Sequence, residues 1–114
     1  MSQHLPNSGC ALVEEKKVVE YLLNLAHPDG TSKAKFFLAR GFDVSRWGEM
    51  RDALLAQGRD NPVTRVTPHP WGTRYQVDCN CPTPDGANPC IRTVWELAPA
   101  AACPRLLTAY PLAN

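Results

Sequence analysis

Arg74, Arg92, Thr93, Thr108 and Tyr110 fall in stretches whose side chains alternate in polarity, so each is expected on a β-strand. These types can do phosphate chemistry. Cleaving RNA without a metal requires a base for the 2′-hydroxyl, cations for the phosphorane charge and an acid for the leaving oxygen. Residues 61–114 hold Arg65, Arg74, Arg92 and Arg105 but no lysine. A guanidinium fork suits phosphate and carboxylate better than a point charge does. The same arginines also suit half-buried sheet positions through their long stems, so the pattern alone does not choose. Arg74 and Arg92 are expected to face each other across a hairpin at 82–89, where an anion would relieve their repulsion. Thr108 and Tyr110, two apart, would share a face.

Other chemistry is less well supported. His4 lies in a lead-in, His27 at a helix end and His69 between two prolines. All three read as surface or capping residues, which leaves a general base unnamed. Lys33 and Lys35 flank the start of a helix, where they would either strengthen an anion site or form a solvated face over Phe36, Phe37 and Leu38. Cys79-x-Cys81 with Cys90 has poor zinc spacing, and five cysteines, an odd count, argue against a closed disulfide framework. Reduced thiols and no metal are therefore expected, with no bridge between Cys79 and Cys81. The phosphate-binding loops, zinc-protease helix and serine-hydrolase elbow motifs are absent from the sequence.

Positioning these residues falls to an α+β arrangement. At 114 residues and 44% hydrophobic content the chain is long and apolar enough for one core, so a single domain is expected over 1–114. An extended lead-in at 1–11 precedes a helical part at 12–60. Helical spacing of Val18, Leu22 and Leu25 predicts a helix over 14–25. A second follows at 32–40, capped by Thr31 or Ser32, and a third at 46–57, capped by Ser45 and closed by Gly58 with Asn61-Pro62. From Pro62 the period falls to two. Strands over 63–67, 72–80, 90–97 and 104–110 predict an antiparallel sheet within 62–111, with three N-terminal helices on one face. Phe37, Leu22, Leu54 and Trp47 should be largely buried. No apolar run is long enough to cross a bilayer, so no membrane contact is expected.

The chain resembles a bacterial family of domains of unknown function, DUF6883. The likeness runs through Leu5-Pro6-Asn7, Tyr21-Leu22-Leu23-Asn24, His27-Pro28, the SKAKFFL run at 32–38 and Gly41-Phe42. It continues through Trp47, the RDALL run at 51–55, Asn61-Pro62-Val63, Gly72-Thr73-Arg74-Tyr75, Arg92-Thr93-Val94-Trp95 and the RLLTAYP run at 105–111. A looser likeness, to barnase/colicin/RelE-type toxin nucleases, implies metal-independent RNA cleavage on the concave sheet face. By that likeness Lys35, Arg74, Arg92, Thr108 and Tyr110 are the catalytic candidates, with RNA or tRNA as substrate and a cognate immunity protein as partner. No cofactor is implied. The competing expectation is a non-enzymatic protein-binding, immunity or adaptor domain. A cytoplasmic location is expected, or delivery as a toxin module if the chain is a piece of a longer protein.

Overall fold

The structure is a computed structural model that describes residues 3–112. Met1 and Ser2 of the lead-in lie outside the described residues. The chain is α+β, with three α-helical segments and one four-stranded antiparallel sheet. Helix α1 (Glu15–Lys17) runs into a π-helical turn at Val18–Leu22 and is followed by α2 (Thr31–Ala39) and α3 (Trp47–Asp60). The strands are β1 (Val63–His69), β2 (Gly72–Asn80), β3 (Cys90–Leu97) and β4 (Arg105–Pro111). They pair in sequence order, β1-β2-β3-β4.

Alternation decides what the sheet buries. Tyr75 and Val77 of β2, Ile91, Thr93 and Trp95 of β3, and Leu106 and Ala109 of β4 are buried. Their core partners include Leu22, Phe37, Met50 and Leu54. Trp47, expected among them, is only half-buried, because it opens α3 and spreads its indole under the Arg51 guanidinium 5.1 Å away.

One buried polar network ties α3 to the sheet. Trp95 Nε1 donates to Thr93 Oγ1 at 2.7 Å, and the Thr93 hydroxyl donates to Gln57 Oε1 at 2.6 Å. Gln57 Nε2 then donates to the carbonyls of Val77 and Ile91 at 3.0 and 3.1 Å. Gly58 is what lets α3 come this close. A Cβ there would sit 2.6 Å from the Trp95 ring. Gly58 is thus a packing residue inside the helix and not its stop, which comes two residues later. Asn61, the other part of the expected stop, closes α3, its Nδ2 donating to the Gln57 carbonyl at 3.0 Å and the Asn80 carbonyl at 3.1 Å.

Several local expectations change. The helix expected over 14–25 is split, its second half wound as the π-turn with the Leu23 amide bonded to the Val18 carbonyl at 2.9 Å. Neither Thr31 nor Ser32 caps α2. Gly30 holds that place, and the Thr31 hydroxyl donates backward to the His27 carbonyl at 2.8 Å. Asp43, not Ser45, accepts the amide bond at the turn before α3, at 2.8 Å.

The lead-in is more than an extended tail. It holds a 3-10 turn at Ser8–Cys10 and buries Leu5, and Leu12 pairs with Arg105 at the β4 edge. Cys10 is bridged to Cys103, 93 residues away, which overturns the expectation of wholly reduced cysteines. An odd total leaves one cysteine over without forbidding a bridge among the rest. Cys79, Cys81 and Cys90 carry free thiols, and burial pushes that of Cys81 up to about 12.

Two outcomes follow for stability. Replacing both bridge residues, Cys10→Ser with Cys103→Ser, should cost about 4 kcal/mol, as expected for opening so long a loop. Gln57→Leu should cost about 3 kcal/mol by stranding the Thr93 hydroxyl and two strand carbonyls. Urea denaturation of each variant against the unmodified protein measures both.

Candidate functional site

Antiparallel pairing sets rows of side chains across the sheet face opposite the core. In one row Asp78, Arg92 and Tyr110 are cross-strand partners; in the next, Gln76, Val94 and Thr108. Farther along, Arg74 opposes Glu96, which opposes Arg105. Arg74 and Arg92 therefore do not face each other. Each meets a carboxylate instead: Arg92 Nε and Nη2 donate to Asp78 at 2.8 and 2.9 Å, and Arg74 Nε approaches Glu96 at 3.5 Å. The repulsion expected between two guanidiniums is absent because register placed an acid opposite each.

The Asp78 pair is tight and part-buried. Hydrogen bonds from Arg92 hold the Asp78 carboxyl below the usual range against the opposing effect of burial, and Thr64 adds a 3.0 Å bond. The Arg92 guanidinium is correspondingly raised, first by Asp78 and then by Tyr110. Removing Arg92 would leave a half-buried carboxylate without its partner, so this arginine is more structural than an exposed one.

The densest chemistry lies at the β4 edge, on residues that alternation in the strands does not reveal. Tyr21, on the π-turn, shares a 3.0 Å hydrogen bond between its hydroxyl and Thr108 Oγ1. Lys33 Nζ donates to the same phenolic oxygen at 2.7 Å. Lys17 and Lys33 both stand over the Tyr21 ring, 5.3 and 5.1 Å from its centre, and His27 meets it edge-on at 4.9 Å. Burial opposes ionisation of Tyr21. The hydrogen bonds from Lys33 and Thr108 and the charges of Lys33 and Lys17 together outweigh it, holding the phenol below the ordinary tyrosine range. Gly30 makes room, since a Cβ there would lie 2.8 Å from the Tyr21 carbonyl and 3.0 Å from its ring. A hollow of about 450 Å³ opens beside this group, lined by Ser32, Lys33, Tyr110 and Pro111.

Of the five candidates, Arg92, Thr108 and Tyr110 share one face of the β3–β4 pair, and Tyr110 lines the hollow. Arg74 lies toward the other end of the sheet, and Lys35 is exposed on α2. Two residues of helix turn a side chain by about 200°, so Lys33 and Lys35 cannot both face β4. Lys33 takes the place Lys35 was given. Tyr21 was missed because the 14–25 stretch reads as an amphipathic core helix, although the Tyr21-Leu22-Leu23-Asn24 stretch carries part of the family likeness. Of the histidines, His4 is exposed, and His69 stacks on Trp71 at 5.4 Å. His27 alone joins the cluster, its Nδ1 accepting the Asp29 amide at 3.1 Å.

These elements define a helix-flanked antiparallel meander with a cationic, hydroxyl-rich cluster at its last strand. The chain belongs to the DUF6883 family, "Domain of unknown function (DUF6883)", which matches residues 4–113. No curated protein matches it. Among solved structures it is similar to a chain of a contact-dependent growth inhibition toxin–immunity protein complex from Klebsiella pneumoniae 342. The TM-score is 0.69 at 14% identity, covering 94% of this chain and 97% of that one. At that identity the likeness concerns the fold.

The Asp78 pair has a pH signature. A carboxyl held low in the folded state stabilises fully above its unfolded value, about 3.9, and loses that contribution as pH falls through the folded value. The stability advantage of the unmodified protein over Asp78→Asn should thus be present at neutrality and shrink on acidification below about pH 4. Urea midpoints at both pH values check it, and an advantage that does not change with pH would contradict it.

Proposed function

We propose that this chain is a toxin-like domain that cleaves RNA without a metal, working at the β4 edge. In this reading the helices cover one face of the sheet, the whole chain acts as one module, and the other face with its β4 border receives substrate. The observation that carries it is the Lys33–Tyr21–Thr108 hydrogen-bonded chain beside the hollow that Lys33 and Tyr110 line. Lys33 and Arg92 supply positive charge for a phosphate, and the Thr108 and Tyr110 hydroxyls orient it. Arg74 and Lys35 have secondary roles, steering RNA along the sheet and helix surface by charge. The fold is shared with a chain of a toxin–immunity complex, and in this reading the present chain corresponds to a toxin, with RNA or tRNA as substrate and an immunity protein as the cognate partner. The domain would act in the cytoplasm of a target cell after delivery.

A second reading, a non-enzymatic protein-binding or immunity domain, draws support from one observation. Arg74 and Arg92 are already neutralised by Glu96 and Asp78, which weakens their pull on an anion. Lys33 favours the first reading, because it donates to the Tyr21 hydroxyl and the Asp29 carbonyl and to no carboxylate. Incubation with total RNA and with a tRNA pool, with and without chelator, is the test. Cleavage should survive chelation, and Lys33→Ala should lower it about 100-fold, the scale for losing one transition-state donor. Intact RNA after prolonged incubation with folded protein would favour the binding domain.

A further inference from the structure

The ribonuclease reading leaves a base to be found, and His69, the histidine that ends β1, stacks on Trp71 at the sheet edge opposite β4. The group best placed is not one of the usual acids. The Tyr21 hydroxyl has two hydrogen-bond partners, one cationic, and a second ammonium over its ring. It projects from the π-turn onto β4, where Thr108 holds it, and the ring is fixed by close packing on Gly30. A phenol both donates and accepts: Lys33 fills an acceptor site of the Tyr21 oxygen, and Thr108 can take either role in the second bond.

We propose that Tyr21 is the general base of this site, its hydroxyl oxygen, held by Lys33 and Thr108, receiving the proton of a ribose 2′-hydroxyl. The proposal rests on the ribonuclease reading and deepens it by naming the group that takes the 2′-proton. The step balances as follows. The Tyr21 phenolate takes the 2′-proton, and the 2′-oxygen forms a bond to phosphorus. The bond from phosphorus to the 5′-oxygen breaks, its electron pair staying on that oxygen, which takes the Tyr110 hydroxyl proton. A 2′,3′-cyclic phosphate and a free 5′-hydroxyl result. Solvent then returns Tyr21 to its phenolate and Tyr110 to its phenol. Lys33 and Arg92 carry the phosphorane charge, and Arg92, the cross-strand neighbour of Tyr110, also stabilises the phenolate left there. Thr108 and Tyr110 are two apart on β4, about 7 Å along the strand. Tyr21, through its bond to Thr108, and Tyr110 thus border the same stretch of β4, the base beside one residue and the acid on the other.

The groups facing Tyr21 are Lys17 from α1, Lys33 from α2, His27 from the following turn and Thr108 from β4. Against burial, the hydrogen bonds from Lys33 and Thr108 and the charges of both lysines set the direction of its titration, because each favours the phenolate.

Two measurements together test the proposal. The first is cleavage of an RNA oligonucleotide across pH for the unmodified protein, Tyr21→Phe and His27→Ala. With Tyr21 as base, the rate should climb about tenfold per pH unit above neutrality, and Tyr21→Phe should lose about 100-fold and that slope. His27→Ala should keep the slope. A rate that levels off near pH 7 and loses its pH dependence in His27→Ala would overturn the proposal in favour of histidine. The second, which needs no activity, is ultraviolet titration of tyrosinate. One tyrosine should ionise below the ordinary value of about 10 in the unmodified protein and be missing in Tyr21→Phe. No early tyrosinate would overturn the proposal while leaving the ribonuclease reading standing. Absence of cleavage by the unmodified protein would remove both.

Discussion

The buried amide of Gln57 is the constraint on which the rest depends. A fully buried side-chain amide must satisfy its polar atoms inside the protein, and it does so by holding β2 and β3 through Val77, Ile91 and Thr93. Those bonds have direction, so they fix α3 at one rotation and one height above the sheet, which apolar contact alone would not. Gly58 beside it admits the Trp95 ring at van der Waals range, and Trp95 closes the network on Thr93. With β2 and β3 locked, the register puts Asp78 opposite Arg92 and Arg92 opposite Tyr110.

From that frame the β4 edge acquires its chemistry by contacts distant in sequence. Tyr21 reaches Thr108, 87 residues on, and the lead-in is stapled to the loop before β4 by the Cys10–Cys103 bridge. Leu12 lies against Arg105 as a short parallel neighbour, with its amide bonded to the Pro104 carbonyl at 2.8 Å and the Leu106 amide to its own carbonyl at 2.9 Å. The N-terminal third thus braces β4 from its outer side. A strand that would otherwise be an open edge becomes a wall that can hold Thr108 and Tyr110 at fixed spacing.

The strands were the most legible part of the sequence. β2 and β3 begin and end where alternation of Tyr75, Val77, Ile91, Thr93 and Trp95 placed them, because one face of each is buried. Helix ends were less so. Gly58 reads as a stop, yet its lack of a side chain serves packing against Trp95. The site was legible only in part. Arg92, Thr108 and Tyr110 could be named from strand pattern, but which carboxylate each arginine meets depends on register, which a single strand does not disclose. Lys33 and Lys35 were separable only once helix phase against β4 was known. Tyr21 sits in a run that looks wholly apolar in purpose, and nothing local announces its hydroxyl's partner. The disulfide escaped because counting parity says how many cysteines are left over and not which ones meet.

On this proposal a phosphate of RNA is held between Lys33 and Tyr110 with a ribose beside Tyr21. Its most direct measurement is a crystal structure with an RNA oligonucleotide whose 2′-hydroxyls are methylated, so that it binds without reacting. A phosphate should occupy the hollow lined by Ser32, Lys33, Tyr110 and Pro111, with the methylated 2′-oxygen directed at the Tyr21 hydroxyl. An oligonucleotide bound on another surface, with this hollow unoccupied, would contradict it.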